Sequence, residues 1–377
     1  MPHQKYYDWR PSHTQELLLK AALLPQEEAL QAWKDWKKQT DLDHIDYGSH
    51  RLLPLLYSHL KSAVGKDPNF AYFRKIYLET WADNQKLFAR VTPALEALHQ
   101  AGIRTLVLKG VDLILHYYQD FGARPMSDFD LLVPKADIKR AIDVLQSEGW
   151  SFVMDDPEKH LPDTLRYFHA VELIHPNGGS LDLHWHTLVR SLREDADQAF
   201  WNDAIPLTVN QIETLSLSPS DALFHICIHG LHWNMLPPIR WVADAMQILE
   251  SDHPLDWARV TQQAKTHQQS LLLGDVLSYL RETYEAPVPE SVLRALDELP
   301  KSRQETREYK VLTHKPLLST YIHTHWIFYP RIAEDLGLDK GLFAFLRYYL
   351  ALNALENVWQ IPRLTFNKVF HRIFPKS

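Results

Sequence analysis

Hydrophobic and polar positions divide the chain into three stretches. From about Thr14 to Gln100 apolar residues recur at three- and four-residue spacing, in TQELLLKAALLPQEEALQAWKDW, HRLLPLLYSHLKSAV and FRKIYLETWADNQKLFARVTPALEALHQAG. That spacing predicts amphipathic helices, the last stopping at Ala101-Gly102. The texture then changes. IRTLVLK (103–109) predicts a buried strand, VDLILHYY (111–118) a short helix, and SDFDLLVP (127–134) a strand closed by proline. KADIKRAIDVLQSEGW (135–150) predicts a helix with Ile138, Ile142 and Leu145 on one face. FHAVELIHPNGGSLDLHWHTL (168–188) predicts two strands about an Asn177-Gly178-Gly179 turn. Beyond Leu188 helical spacing returns. SPSDALFHICIHGLHW opens on Ser218 or Ser220 as N-cap, PPIRWVADAMQILES opens on prolines, and helices continue to about Phe366. The expected class is α+β: a helical N-terminal region (1–100), a small mixed-sheet core (101–188) and a helical C-terminal domain (189–377).

Composition narrows the function. At 377 residues the chain is long enough for two or three domains, and 45% hydrophobic with 23% charged residues is the balance of a globular protein. A net charge of -7 argues against dedicated duplex binding, which draws on cationic contacts to phosphate, but leaves room for a small nucleotide. The single cysteine, Cys227, forms no internal disulfide, so a reducing compartment, the cytoplasm, is expected. The first residues lack the apolar core of a signal peptide, and no apolar run approaches the length of a membrane span, so stable membrane insertion is not expected.

The chemistry concentrates in the middle stretch. In a strand, residues i and i+2 share a face about 6–7 Å apart, so Asp128 and Asp130 project together while Phe129 and Leu131 face the core. Two carboxylates this close repel unless a cation lies between them. Mg²⁺, or Mn²⁺ in its place, is the natural one, being held by one or two carboxylates plus substrate phosphates. Two-metal sites usually add a third carboxylate from a neighbouring strand. In SLDLHWH, Asp182 is the lone acid of an apolar strand and shares its face with His184 and His186. Glu172 is expected to join only if the hairpin register pairs it with His184. Upstream, Gly110 lets backbone approach a phosphate and Lys109 adds a point charge there. Arg124 is placed to grip a phosphate or to pair with a carboxylate. His184 is expected to orient or flank the site, because hard Mg²⁺ prefers oxygen.

Strand, glycine turn, helix, Asp-x-Asp on the next strand and a later lone Asp resemble the nucleotidyltransferase fold of DNA polymerase beta-like enzymes. More narrowly, the Lys109-Gly110 turn, Arg124, SDFDLLV, the later GW and LDLHW are similar to a bacterial family of nucleotidyltransferases of largely unknown substrate, over roughly residues 50 to 250. The Lys-Gly and Arg-x-x-Ser-Asp-x-Asp pieces also resemble the nucleotidyltransferases of toxin–antitoxin pairs. The resemblance implies that Asp128 and Asp130 hold the metals, that Asp182 completes the site and helps activate an acceptor hydroxyl, and that Lys109 and Gly110 contact the triphosphate. Where the wider superfamily has Gly-Ser or Gly-Gly, this chain has Gly110-Val111, so Lys109 is expected to take over phosphate contact from a missing hydroxyl.

Other features carry less. His225, His229 and His232, at spacings of four and three, fall near one helical face; packing against the mixed domain or lining the cleft is the commoner role, zinc the rarer. Arg240 and Asp244 have the spacing of a helix ion pair, with closing over a nucleotide the rarer role. The tail RLTFNKVFHRIFPKS has cations and no acid, and is read as a docked C-terminal helix before a membrane or nucleic-acid contact. The leading expectation is transfer of a nucleoside monophosphate from an NTP to a hydroxyl on a small molecule, a protein or a tRNA, with pyrophosphate released. A cognate partner protein is a further expectation. Alternatives are an inactive nucleotide-sensing or scaffold protein on the same fold, and a zinc hydrolase built on the histidine cluster.

Overall fold

Alternation along short apolar strands sets the architecture. A computed structural model describes residues 9–231, 239–313 and 321–364. His232 and residues 365–377, with most of the basic tail, lie outside the described residues. Seven strands, β1 (Leu106–Val107), β2 (Phe129–Leu132), β3 (Ser151–Phe152), β4 (Ala170–Ile174), β5 (Ser180–His184), β6 (Ile205–Val209) and β7 (Ile212–Ser216), form one mixed sheet. Their order is β3-β4-β5-β2-β1-β7-β6. The fold is therefore α+β, as its alternating pattern predicts. β2 runs parallel to β5 and antiparallel to β1, and β1 runs parallel to β7.

Period-2 alternation gives the sheet two different faces. Val107, Phe129, Leu131, Leu181 and Leu183 point to one side, into a core with Leu87, Val91, Leu95 and Leu98 of helix Pro68–Gln100 and with Ile138, Ile142 and Leu145 of helix Ile138–Ser147. Leu106, Leu108 and Leu132 point to the other side, into a larger core shared with the N-terminal helices and with Leu223, Phe224 and Ile228 of helix Pro219–His229. The carboxylates of β2 and β5 lie on this second face, between the sheet and the flanking helices.

Three sequence expectations change in detail. The strand over 103–109 shortens to Leu106–Val107, although the Leu108 N–H still donates to the Asp130 carbonyl at 3.0 Å. The short helix begins at Gly110 and is π-helical from Leu113 to Tyr118. The expectation of helix directly beyond Leu188 is corrected at Ile205–Ser216, a hairpin that extends the sheet next to β1. Its turn places Asn210 and Gln211 at φ 46° and 74°. Both left-handed positions are filled without glycine, so the usual hairpin signature is missing. The Thr105 and Thr214 hydroxyls, 2.6 Å apart, tie the added strand to the segment leading into β1. Among the described residues no helix is long and apolar enough to cross a membrane.

Candidate active site

Register brings the acids together. Asp130 of β2 and Asp182 of β5 are direct partners across the parallel pair. Asp128 precedes β2 by one residue. One oxygen each of Asp130 and Asp182 and one nitrogen of His184 lie within 4.8 Å of one another. Glu172 pairs with Asp182 rather than with His184; its exposed carboxylate accepts from the Ser180 hydroxyl at 3.0 Å.

Asp130 is the most constrained member. Its Oδ1 accepts from Lys109 Nζ at 2.6 Å and faces His184 Nε2 at 3.0 Å. Burial opposes its charge, but Lys109 and His184 together outweigh burial and hold its pKa below the usual carboxylate range. Asp182 goes the other way. Burial first, then the negative charges of Asp130 and Asp128 against the relief offered by His184 and Lys109, push it up to about 6. Neighbouring carboxylates with opposite shifts are the pattern expected of an acid–base or cation site. Asp130 and Asp182 offer oxygens to a hard divalent ion, and Asp130 Oδ2 has no hydrogen bond among the described residues; Asp128 is not part of that close group, although it lines the cleft and its charge reaches Asp182. His184 Nε2 is already turned to Asp130, which suits an orienting role.

The left-handed residue of the Lys109-Gly110 turn is Lys109, at φ 48° and ψ -114°, a conformation that costs a non-glycine residue about 1–3 kcal/mol. Gly110 is closely packed: a Cβ there would stand 2.6 Å from Met126 Sδ and 2.9 Å from Arg124 Nη1. Val111 is wholly buried.

Arg124 resolves toward a carboxylate partner. Its Nε and Nη2 donate to Asp244 Oδ1 and Oδ2 at 2.7 and 2.9 Å, with both side chains buried. Tyr118 donates to the same carboxylate at 2.8 Å. Arg240, the helix neighbour expected to pair with Asp244, approaches only to 3.8 Å. Behind Arg124, Asn84 donates to the Phe121 and Arg124 carbonyls and accepts from the Met126 N–H, fixing the loop. Lys109, Gly110, Arg124, Asp128 and Asp130 share a cleft of 180 Å³ whose remaining wall includes Arg51, His229 and Arg240. Of the histidine cluster, His225 is buried beside the site; burial, then Lys109, push it down to about 3. Its ring lies 5.6 Å from that of His229. Among the described residues, this cluster is not part of a three-ligand metal group.

Sequence reasoning missed Arg51, Asn84 and Met126. The one available signal for Arg51 was a lone cation ahead of the apolar run LLPLLYSHL.

A crystal structure of an antigenic nucleotidyltransferase-like protein from Paracoccidioides brasiliensis is similar at 14% identity and a TM-score of 0.35, over 58% of this chain and 95% of that one. A comparison with curated proteins finds no match. A family model described as uncharacterised nucleotidyltransferase matches residues 47–285, from Tyr47 before the Leu53–Val64 helix to the end of the Ser270–Tyr284 helix, and so takes in the whole sheet with its acids. On that match, the chain belongs to the uncharacterised nucleotidyltransferase family.

Proposed function

We propose that this protein transfers a nucleoside monophosphate from an NTP to a hydroxyl acceptor, with Mg²⁺ or Mn²⁺ as cofactor. The observation that carries the reading is the pairing of Asp130 with Asp182 across parallel strands, with Asp128 just upstream and Lys109 on Asp130. In the reaction a bond forms between the acceptor oxygen and the α-phosphorus, the bond from that phosphorus to the bridging oxygen breaks, and pyrophosphate leaves. A divalent ion held by Asp128, Asp130 and Asp182 would lower the acceptor's pKa and neutralise charge on the phosphates. Asp182 is the candidate to receive the acceptor's proton, directly or through the metal. His184 keeps the Asp130 carboxylate oriented. Lys109 offers its ammonium to a phosphate, and Gly110 leaves the room in which Arg124 and Met126 sit. The acceptor is a small molecule, a protein side chain or a tRNA end, and a cognate partner protein fits the likeness to toxin–antitoxin enzymes. The lone, buried Cys227 supports a reducing, cytoplasmic setting.

The test is a label-transfer and pyrophosphate-release assay with each α-labelled NTP, Mg²⁺ or Mn²⁺, and cell extract as acceptor source. The intact chain should place label on one acceptor class. Asp128→Asn and Asp182→Asn should each lose about 10²-fold or more. Equal labelling by the variants would refute the catalytic assignment. Metal-dependent nucleotide binding without pyrophosphate release would favour a nucleotide sensor on the same fold.

A further inference from the structure

The cleft is charged asymmetrically. At the carboxylate end, Asp130 is matched by Lys109. In the middle, Asp244 is matched by Arg124 through both its oxygens. Two cations remain on the same wall, Arg51 and Arg240, which lie far apart in the sequence. Both donate to one neutral acceptor, the Pro125 carbonyl, Arg240 Nη1 at 2.7 Å and Arg51 Nη2 at 3.3 Å. Beyond that, Arg51 lies over the Tyr47 ring and Arg240 reaches Asp244 at 3.8 Å. Neither has a carboxylate of its own among the described residues.

Bringing two guanidinium groups onto one carbonyl in a partly buried cleft costs energy unless an anion completes the arrangement. The cost is visible at Arg240, where burial first, then Arg124 and Arg51 against Asp244, push the guanidinium down to about 9. Planar guanidinium forks match the oxygens of phosphate, and two of them side by side match adjacent phosphates better than a single carboxylate. We infer that Arg51 and Arg240 form a polyphosphate subsite of this cleft, taking the β- and γ-phosphates of a nucleoside triphosphate. The inference rests on the nucleotidyltransferase reading for the identity of the ligand. It adds that the selection of triphosphate over monophosphate is made by residues outside the sheet, one from the segment before helix Leu53–Val64 and one from helix Arg240–Leu249.

Calorimetric titration with Mg²⁺ and nucleoside mono-, di- and triphosphates tests this, with inorganic tripolyphosphate as competitor. The wild-type chain should bind more tightly as phosphates are added, and tripolyphosphate should displace the NTP. Arg51→Gln and Arg240→Gln should each lose about tenfold or more for NTP and leave monophosphate affinity unchanged. Arg51→Lys, which keeps the charge but not the fork, should fall between. Arg51→Gln decides the matter if the Arg240 variant does not fold. Glutamine variants that keep the wild-type preference for triphosphate, or a wild-type chain with no such preference, would overturn the subsite. The two readings fail separately. Normal phosphate discrimination without label transfer keeps the subsite and removes the transferase. Label transfer with unchanged NTP affinity in both glutamine variants does the reverse.

Discussion

Replacing Arg124 with methionine puts the buried ion pair to a quantitative test. The Arg124 and Asp244 side chains are 4% and 5% exposed, and both oxygens of Asp244 take a guanidinium hydrogen bond. Burial opposes the Asp244 charge, and Arg124 more than offsets it, holding its pKa below the usual carboxylate range. Removing one partner of such a pair costs about 3–5 kcal/mol, because the remaining charge is stranded. Here Asp244 would keep the Tyr118 hydroxyl at 2.8 Å and Arg240 at 3.8 Å, so the expected loss is at the lower end, about 3 kcal/mol. Asp244→Asn strands the arginine instead and should cost a similar amount. The double variant removes both charges, and should lose less than the two singles summed by about 2 kcal/mol. Urea unfolding at pH 7, followed by tryptophan fluorescence, measures all three against wild type. A loss under 1 kcal/mol for Arg124→Met, or strict additivity in the double variant, would refute this account of the pair.

Two further outcomes follow from named contacts. Gly110→Ala places a Cβ 2.6 Å from Met126 Sδ and 2.9 Å from Arg124 Nη1; Met126 can swing away but Arg124 is pinned by Asp244. The KM for NTP should therefore rise by about tenfold while stability falls by only about 1 kcal/mol, as steady-state kinetics and urea melts would show. His267, stacked on Phe200 and bonded to the Ser191 hydroxyl, is pushed down to about 4 chiefly by burial. The unfolded chain, with this group near 6.5, binds more protons as pH falls, so stability drops below neutrality by about 2 kcal/mol between pH 7 and pH 5. Asp182, raised to about 6, pulls in the opposite direction, so the readout is the difference between wild type and His267→Asn. The variant should lose less stability on acidification, and an identical pH profile would refute the assignment.

How much of this was legible depended on where the signal sits in the chain. The acids of β2 and β5 stood out because a carboxylate in an apolar strand breaks a strong local pattern. The β4–β5 turn was readable because Gly178 and Gly179 fill its positive-φ positions, at 86° and 106°. The β6–β7 turn uses the same kind of backbone on Asn210 and Gln211, which as a dipeptide announces nothing. The pairing of Asp130 with Asp182 could not be read, because register between strands far apart in sequence is set by packing on both faces. The same holds for Arg124, left open between a phosphate and a carboxylate: its partner Asp244 lies 120 residues further along the chain, in helix Arg240–Leu249. Arg51 and Asn84 were invisible for a simpler reason. A single polar residue, in a helix as Asn84 is or in the turn before one as Arg51 is, gives no hint of what it reaches until the tertiary contacts are known.

Helix Pro68–Gln100, about 50 Å long, gives Phe70, Phe73 and Ile76 to the larger core and Leu87, Val91 and Leu95 to the core behind the sheet. Between those anchors Tyr77 donates to Asp120 and Asn84 holds the Arg124 loop. One helix, lacking only the ladder bond that Pro93 cannot donate, thus serves as strut for both cores and as clamp for the loop that shapes the cleft. Neither core can open without loosening a rod whose other half is still gripped, which favours a single cooperative transition over piecemeal melting. It also means that damage to the N-terminal packing, far from any acid, is transmitted to the cleft as a misplaced arginine.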